Sequence, residues 1–494
     1  MRIHDILEQK VAKQPVAPAL TDSLGFDWCY EILGHVVDEL AQKLVDLGVK
    51  PTDRVLLVME NCAPAVATLL AVSKVGAVLI PFNARQTDKD LQRVIDHATP
   101  AAVLFTVSVS KEAKVHAEWA GAQDMCLAGL NGALFATSRA TDPVEELSDV
   151  GAILYTTGTT GVPKGVMLTH DNLIFGGRVS CDVRKITAED VLYGVLPMSH
   201  VFGLASVVVA ALLGGASIRI EPRFAPANLY NALLKGVTLL SSVPQMLAQL
   251  MHYTREQGHE HLPIDSLRYV SSGAAPLDID WKSKAEAFFG QPLQNGYGMT
   301  EASAGVCVTR HMGSNDDISV GQPFPGVQLK LDVQAPGGGG EVGEILIAGG
   351  GVMKGYFRNQ EATAAAFTPD GWLRSGDLGR LDAQGNLHIM GRSKELIIHG
   401  GFNVYPPEVE AALNEHPQVI QCAVVGVTRD GDEKVCAFVE ASPNDWPNEE
   451  DLHAYAQTQL TGYKRPWRIV VMEKLPAAAT GKILKKDLPA LIKE

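Results

Sequence analysis

The apolar and polar positions change texture twice along the chain. In the first half, segments with apolar residues at helical spacing alternate with short, unbroken apolar runs: helices are predicted near 32–47 and 64–75 and strands at 54–59 and 77–81. Further strands are predicted at 101–105, 151–155, 239–242 and 269–271. Wholly apolar strands separated by helices are the pattern of a parallel sheet covered on both faces. From about Gly321 the runs VQLKLDV, EILIAG and NLHIMG are separated by glycine turns, which predicts an antiparallel β region. After Gly391-Arg392 the pattern shifts again, to a helix at 406–414, strands at 419–425 and 434–441, and a helix at 448–460. The predicted fold class is therefore α/β. A large N-terminal domain, 1–393, is built of layered α/β subdomains plus the β region, and a small, mobile α+β domain occupies 394–494.

One stretch tests this picture. Val201 to Ile218 is uncharged for eighteen residues, long enough to span a membrane by length alone. Gly214-Gly215 interrupts it, so a buried helix of about three turns followed by a strand at 217–220 is expected instead.

Composition narrows the class. A chain of 494 residues, 46% apolar and 20% charged, is expected to be a soluble globular protein of at least two domains. Its net charge of -14 opposes a nucleic-acid phosphate backbone. Seven scattered cysteines without any C-x-x-C pair read as buried thiols in a reducing compartment. The charged N-terminus MRIHDILEQKVAKQ lacks a signal-peptide core. The expectation is a cytoplasmic monomer or homodimer, without nucleic acid, zinc, disulfides or a transmembrane segment.

Candidate chemistry concentrates in YTTGTTGVPKG, Tyr155 to Gly165, where glycines and four threonines surround Lys164. Placed between a strand and a helix, such a loop exposes backbone N–H groups and hydroxyl donors and has the composition of a phosphate cradle. It is not a Walker A loop, which needs Gly-Lys followed by Ser or Thr at the head of a helix; Pro163 removes an N–H just before the lysine. An ordinary surface turn would seldom need four hydroxyls.

This loop resembles the signature of the AMP-forming acyl-CoA synthetases and their relatives, the luciferases and nonribosomal adenylation domains. The later motifs LPMSHVFGL, SSGAAPL, NGYGMTE, GWLRSGDLG, GRSKELIIHGGFNVYPPEVE and LPAAATGKILKK come in that family's order and span nearly the whole chain. The resemblance implies ATP, Mg²⁺ and coenzyme A as reactants and a small-molecule carboxylic acid as substrate. It assigns Thr156, Thr157, Gly158, Thr159, Thr160 and Lys164 to the β- and γ-phosphates, Thr300 to the α-phosphate, and Glu301 to the metal. Tyr297 would stack on adenine, with Gly273, Ala274, Ala275 and Asn295 along its edge and Gly296, Gly298 and Met299 beside it. Asp377 would accept both ribose hydroxyls, reinforced by Arg392. Lys482 would donate to bridging oxygens during adenylation, and Lys394 would be the hinge between the domains. His200 would meet the incoming carboxylate or gate an acyl pocket formed by Val201, Phe202, Gly203, Ser242, Val243, Ala302 and Ser303.

The chemistry agrees with the residue inventory. The substrate carboxylate is itself the nucleophile, and the sequence has no G-x-S-x-G elbow or cysteine–histidine signature. Without the motif chain, Lys482 would be one more solvated lysine; for Asp377 and His200 the bland alternatives, a turn carboxylate and a core histidine, are the less favoured readings. Two other signals are set aside. Gly338, Gly340 and Gly343 satisfy G-x-G-x-x-G but lead into the strand EILIAG, and His252, His259 and His261 have no metal-ligand spacing.

Three further identities are weighed. A stand-alone enzyme loading an acyl carrier protein is the main alternative; an amino-acid adenylating domain would place an aspartate early in VFGLASVVV, where none stands. An oxidative luciferase would be expected to end in a peroxisomal tripeptide, and the chain ends Leu-Ile-Lys-Glu. A nucleotide sensor without activity would show decay among Glu301, Asp377 and Lys482. The pocket positions are small or apolar, which suits a fatty or aryl acid, and no arginine is evident there for a second carboxylate.

Overall fold

The computed structural model describes the chain except residues 131, 140, 142–143, 158–162, 274–276, 314, 401, 430–431, 444, 478–482 and 493–494, and except the side chains of residues 157 and 163. Among the described residues, two large sheets form the N-terminal domain. The first has nine strands in the order Gln322–Pro323, Cys307–Val308, Leu293–Tyr297, Tyr269–Gly273, Leu239–Ser242, Val191–Gly194, Ser217–Ile220, Pro18–Asp22 and Asp27–Cys29. It is parallel from Leu293–Tyr297 to Pro18–Asp22 and antiparallel at both edges. The second has eight: Gly355–Tyr356, Pro163–Thr169, Val150–Thr157, Val78–Asn83, Arg54–Met59, Ala102–Phe105, Phe135–Ser138 and Gln123–Asp124. Its central four strands are parallel.

The helix Ala63–Val75 packs against strands of both sheets, and every residue from Ala63 to Ser73 is buried. A helix that is apolar all round has no face to offer water and belongs between layers. The predicted β region is a four-stranded antiparallel sheet, Val327–Asp332, Gly343–Gly349, Leu373–Leu381 and Leu387–Arg392. The small C-terminal domain pairs the hairpin Ile397–His399 and Phe402–Val404 with a three-stranded sheet and the helices Pro406–Asn414 and Glu449–Gln459. It has its own apolar core, centred on Val404, Val409, Val424, Val439 and Ile469.

Two expectations need correction. YTTGTTGVPKG does not join a strand to a helix: Val150–Thr157 and Pro163–Thr169 form an antiparallel hairpin with Thr156 opposite Lys164. The cause is that Val166 to Leu168 are buried and their backbone is paired within the sheet. The helix cap comes later, at Thr169, whose hydroxyl accepts the Asn172 N–H at 3.0 Å while the Asn172 side chain accepts the Thr169 N–H at 3.0 Å. The second correction concerns the apolar run. Val201–Gly203 and Ala210–Gly214 are α-helical, but Leu204–Val209 between them is a π-helix. The wide turn brings the Ser206 carbonyl to the buried Arg184, which donates to it at 2.6 Å. The strand Ser217–Ile220 follows as expected.

Candidate active site

Parallel strands end together in the first sheet, and such strand ends are where open α/β sheets bind ligands. Ser242, Ser272 and Asn295 stand at one level across three neighbouring strands, and Gly273 lies opposite Gly296. At Gly273 a Cβ would sit 3.5 Å from the Phe202 ring and from the Gly296 carbonyl, an ordinary contact distance, which places the ring beside this strand end. Beyond Tyr297 the chain doubles back tightly. A Cβ on Gly298 would stand 1.4 Å from the Ala304 carbonyl oxygen, and Ser303 and Ala304 hold φ of 54° and 83°. Positive φ at non-glycine residues costs about 1–3 kcal/mol each, and here it shapes the turn that carries Glu301.

Asp377 is 6% exposed and lies opposite Arg392 in the antiparallel sheet. The Tyr297 hydroxyl donates to its Oδ2 at 2.5 Å, and Arg392 Nε is 3.1 Å from its Oδ1. Tyr297, Asp377 and Arg392, distant in sequence, thus meet in one cluster. Burial and the adjoining carboxylate hold the Tyr297 phenol well above its ordinary pKa, so it remains a donor.

A second carboxylate is also tied to a tyrosine. Glu301, half-buried on the short turn Thr300–Ala302, accepts at Oε1 from the Tyr356 hydroxyl at 2.9 Å. Lys164 Nζ lies 4.9 Å from the centre of the same tyrosine ring. Among the described residues no group of three or more His, Cys, Asp and Glu side chains gathers to hold a metal. The donor set instead fits Mg²⁺, a hard cation commonly held by one or two carboxylates together with substrate phosphate oxygens; Glu301, with no protein cation in salt-bridge contact among the described residues, would be that carboxylate.

His200 stands just before the helical turn Val201–Gly203, and its proton affinity is lowered by burial, with a smaller contribution from Arg85. Arg85 thus brings a guanidinium toward His200, where none was evident in the sequence. It is committed elsewhere: its Nε is 3.2 Å from the buried Glu60 carboxylate, and Asn83 accepts from its backbone. Val201, Ser242, Ala302 and Ser303 are buried, whereas Phe202, Val243 and Met299 are half-buried. A Cβ on Gly203 would collide with the Pro197 carbonyl at 2.4 Å.

Three of the predicted side chains, Asn295, Ser242 and Ser303, hydrogen-bond to backbone carbonyls within the protein. The Asn295 carboxamide is buried and donates to the Ser319 carbonyl at 3.0 Å, which secures the strand end. Ser242 donates to the Ser271 carbonyl at 2.8 Å and Ser303 to the Gly351 carbonyl at 2.7 Å. Gly158, Thr159, Thr160, Ala274, Ala275 and Lys482 lie outside the described residues, as does the Thr157 side chain. Lys394 lies in the turn Ser393–Glu395, between the last strand of the antiparallel sheet and the C-terminal hairpin. The adjoining Glu395 is 3.3 Å from Lys485 Nζ, which also contacts Glu410 at 2.7 Å.

The family model for AMP-binding enzymes matches residues 7–357, and that for the AMP-binding enzyme C-terminal domain matches residues 408–482. The chain belongs to the AMP-forming acyl-CoA ligase family. The ligase is 30% identical over 532 residues to 4-coumarate–CoA ligase 1 of Arabidopsis thaliana, covering 99% of this chain and 92% of that protein. It is 31% identical over 498 residues to a long-chain-fatty-acid–CoA ligase of Bacillus subtilis, covering 91% and 87%. The solved structure of ATP-bound MatB from Rhodopseudomonas palustris matches with a TM-score of 0.85 at 29% identity over 99% of both chains. That of o-succinylbenzoate coenzyme A synthetase from Bacillus subtilis with ATP and magnesium ion matches at 0.84 and 26% identity, over 98% of this chain and 99% of that one.

Tyr356 is the residue of the ligase that sequence reasoning missed. It sits in GYF, with no charge or glycine pattern to distinguish it, and only the pairing of Gly355–Tyr356 with Val166–Met167 brings it beside Lys164. Among the described residues of the ligase, no helix is long and apolar enough to cross a membrane.

Proposed function

We propose that the protein activates a fatty or aryl carboxylic acid as its acyl-adenylate and transfers the acyl group to coenzyme A. In the first half-reaction a carboxylate oxygen attacks the α-phosphorus of ATP, the bond to the bridging oxygen breaks, and pyrophosphate leaves. In the second, the thiol sulfur attacks the acyl carbonyl, the thiol proton is lost, and AMP departs. Catalysis then lies in alignment and in neutralising charge. Thr156 to Thr160 and Lys164 hold the terminal phosphates, Thr300 the α-phosphate, and Lys482 the bridging oxygens. Asp377 and Arg392 hold the ribose, and Tyr297 lies beside the base. A magnesium ion held by Glu301 would offset phosphate charge. His200, kept neutral by burial, offers a hydrogen bond at the acyl end. Gly273, Ala274, Ala275 and Asn295 line the base edge.

The observation that carries this proposal is the joining of Tyr297, Asp377 and Arg392 from two different sheets at the strand ends, beside the turn that carries Glu301. The domain boundary at 393/394, with Lys394 as pivot, belongs to the same proposal: one small domain must present Lys482 for adenylation and a thiol path for transfer. Seven free cysteines, four of them buried, suit a reducing cytoplasm. The decisive experiment is a panel of fatty and aryl acids assayed for pyrophosphate release with and without coenzyme A. Release of AMP and pyrophosphate with thioester formation supports the proposal, and ADP with orthophosphate overturns it. Acyl transfer only to a carrier protein would replace the acceptor.

A further inference from the structure

Four contacts fix the backbone around Tyr356. Ser303 donates to the Gly351 carbonyl at 2.7 Å, and the Met353 N–H donates to the Glu301 carbonyl at 2.8 Å. The Lys354 N–H donates to the Met167 carbonyl at 3.0 Å, and the Phe357 N–H to the Gly165 carbonyl at 2.8 Å. This segment is therefore tied both to the turn carrying Glu301 and to the strand carrying Lys164. Alternation along an extended backbone then sends neighbouring side chains to opposite faces. Phe357, 1% exposed, packs edge-on to His97, while Tyr356 reaches Glu301 and Lys164.

We propose that Tyr356 is the positioning residue that makes nucleotide binding depend on the metal, its hydroxyl orienting the Glu301 carboxylate and its ring holding the Lys164 ammonium. The inference rests on the ligase function proposed above for the roles of Glu301 and Lys164. Its physical basis is separable into two parts. A glutamate on a three-residue turn has free side-chain torsions, and a hydroxyl donor on Oε1 removes that freedom while leaving Oε2 for a hard cation. A lysine over a ring face keeps its ammonium near the ring by cation–π attraction, on the side of the phosphate hairpin. One side chain thus arranges two groups that would meet the same terminal phosphates, one through a metal and one directly.

The two parts predict different losses. Calorimetric titration of the full chain with ATP, in excess Mg²⁺ and separately in EDTA, measures binding without any acid or coenzyme A. Tyr356→Phe keeps the ring and should weaken binding in Mg²⁺ by about threefold to tenfold, the scale of a single hydrogen bond, with binding in EDTA unchanged. Tyr356→Leu removes the ring as well and should weaken binding in both media. In a Glu301→Gln background, Tyr356→Phe should add no further metal-dependent loss, which a merely structural role of the hydroxyl would not produce. Melting curves on the same samples identify any variant that unfolds. Equal losses of Tyr356→Phe in Mg²⁺ and EDTA, no loss in either, or full additivity with Glu301→Gln would each overturn the inference. Should the metal-linked loss appear while no acid supports pyrophosphate release, Tyr356 keeps its role and the ligase function falls. A wild-type chain that binds no ATP overturns both.

Discussion

Asp377 and Glu301 are both carboxylates tied to a tyrosine hydroxyl at the mouth of the first sheet, and they are prepared for opposite partners. Asp377 is almost fully buried, with Tyr297 on one oxygen and the Arg392 guanidinium on the other. Its charge is balanced before any ligand arrives. Glu301 is half-buried and makes no ion pair among the described residues; the nearby cation, Lys164, lies over the ring of Tyr356. A compensated carboxylate is a fixed acceptor for neutral hydroxyls, whereas an uncompensated one is completed by a cation that comes with the substrate. On the proposed function, this difference would let one pocket read the two ends of a nucleotide independently.

The comparison breaks most visibly at Glu301. Glu301→Gln is expected to slow pyrophosphate release by about two to three orders of magnitude, the scale for losing one preorganised electrostatic group, and raising Mg²⁺ should not restore the rate. Rapid-quench measurement of adenylation checks this, and AMP affinity should be unchanged. Asp377→Ala should lower affinity for ATP and AMP alike by about tenfold to a hundredfold, as for lost hydrogen bonds to a charged group. The variant should also cease to distinguish ATP from its 2′,3′-dideoxy analogue; retained discrimination in competition binding would separate Asp377 from the ribose. Chelating the metal should sharpen the contrast, weakening ATP binding several-fold by calorimetry while AMP binding stays within about twofold, the coupling expected when only one ligand carries the metal. The smallest effect is expected for Tyr297→Phe. Arg392 still balances Asp377, so AMP affinity should fall by only about threefold to tenfold, the range of a single hydrogen bond, with no change in metal dependence.

Elements defined by local pattern were legible in the sequence: the strands Arg54–Met59 and Leu239–Ser242 and the helix Pro406–Asn414 have the bounds that apolar runs and punctuation indicate. The family motifs pointed to Asp377, Arg392 and Tyr297 by residue type, though not to their mutual contacts. What stayed hidden depends on pairing between distant segments. The hairpin that carries Lys164 forms because Pro163–Thr169 pairs with strands on both sides, a choice that the local glycine and threonine content does not encode. Nothing local to Asn295 announces that Ile318 and Ser319 come beside it and accept from its amide. The π-helical turn at Leu204–Val209 depends on Arg184 from another helix, and Tyr356 gains its meaning from two neighbours it meets only in the folded chain.

The helix Ala63–Val75 has a consequence for how the molecule comes apart. With its residues from Ala63 to Ser73 all buried and strands of both sheets against it, it cannot keep its surface dry if either sheet melts. The two sheets should therefore unfold as one cooperative block, and a fragment carrying only one of them would expose this helix and aggregate. The C-terminal domain, with a core of its own around Val404, Val424 and Ile469, is under no such bond. Limited proteolysis and fragment exchange should succeed near residue 393 and fail between the sheets, so recombination among relatives would be tolerated at the turn and almost nowhere before it.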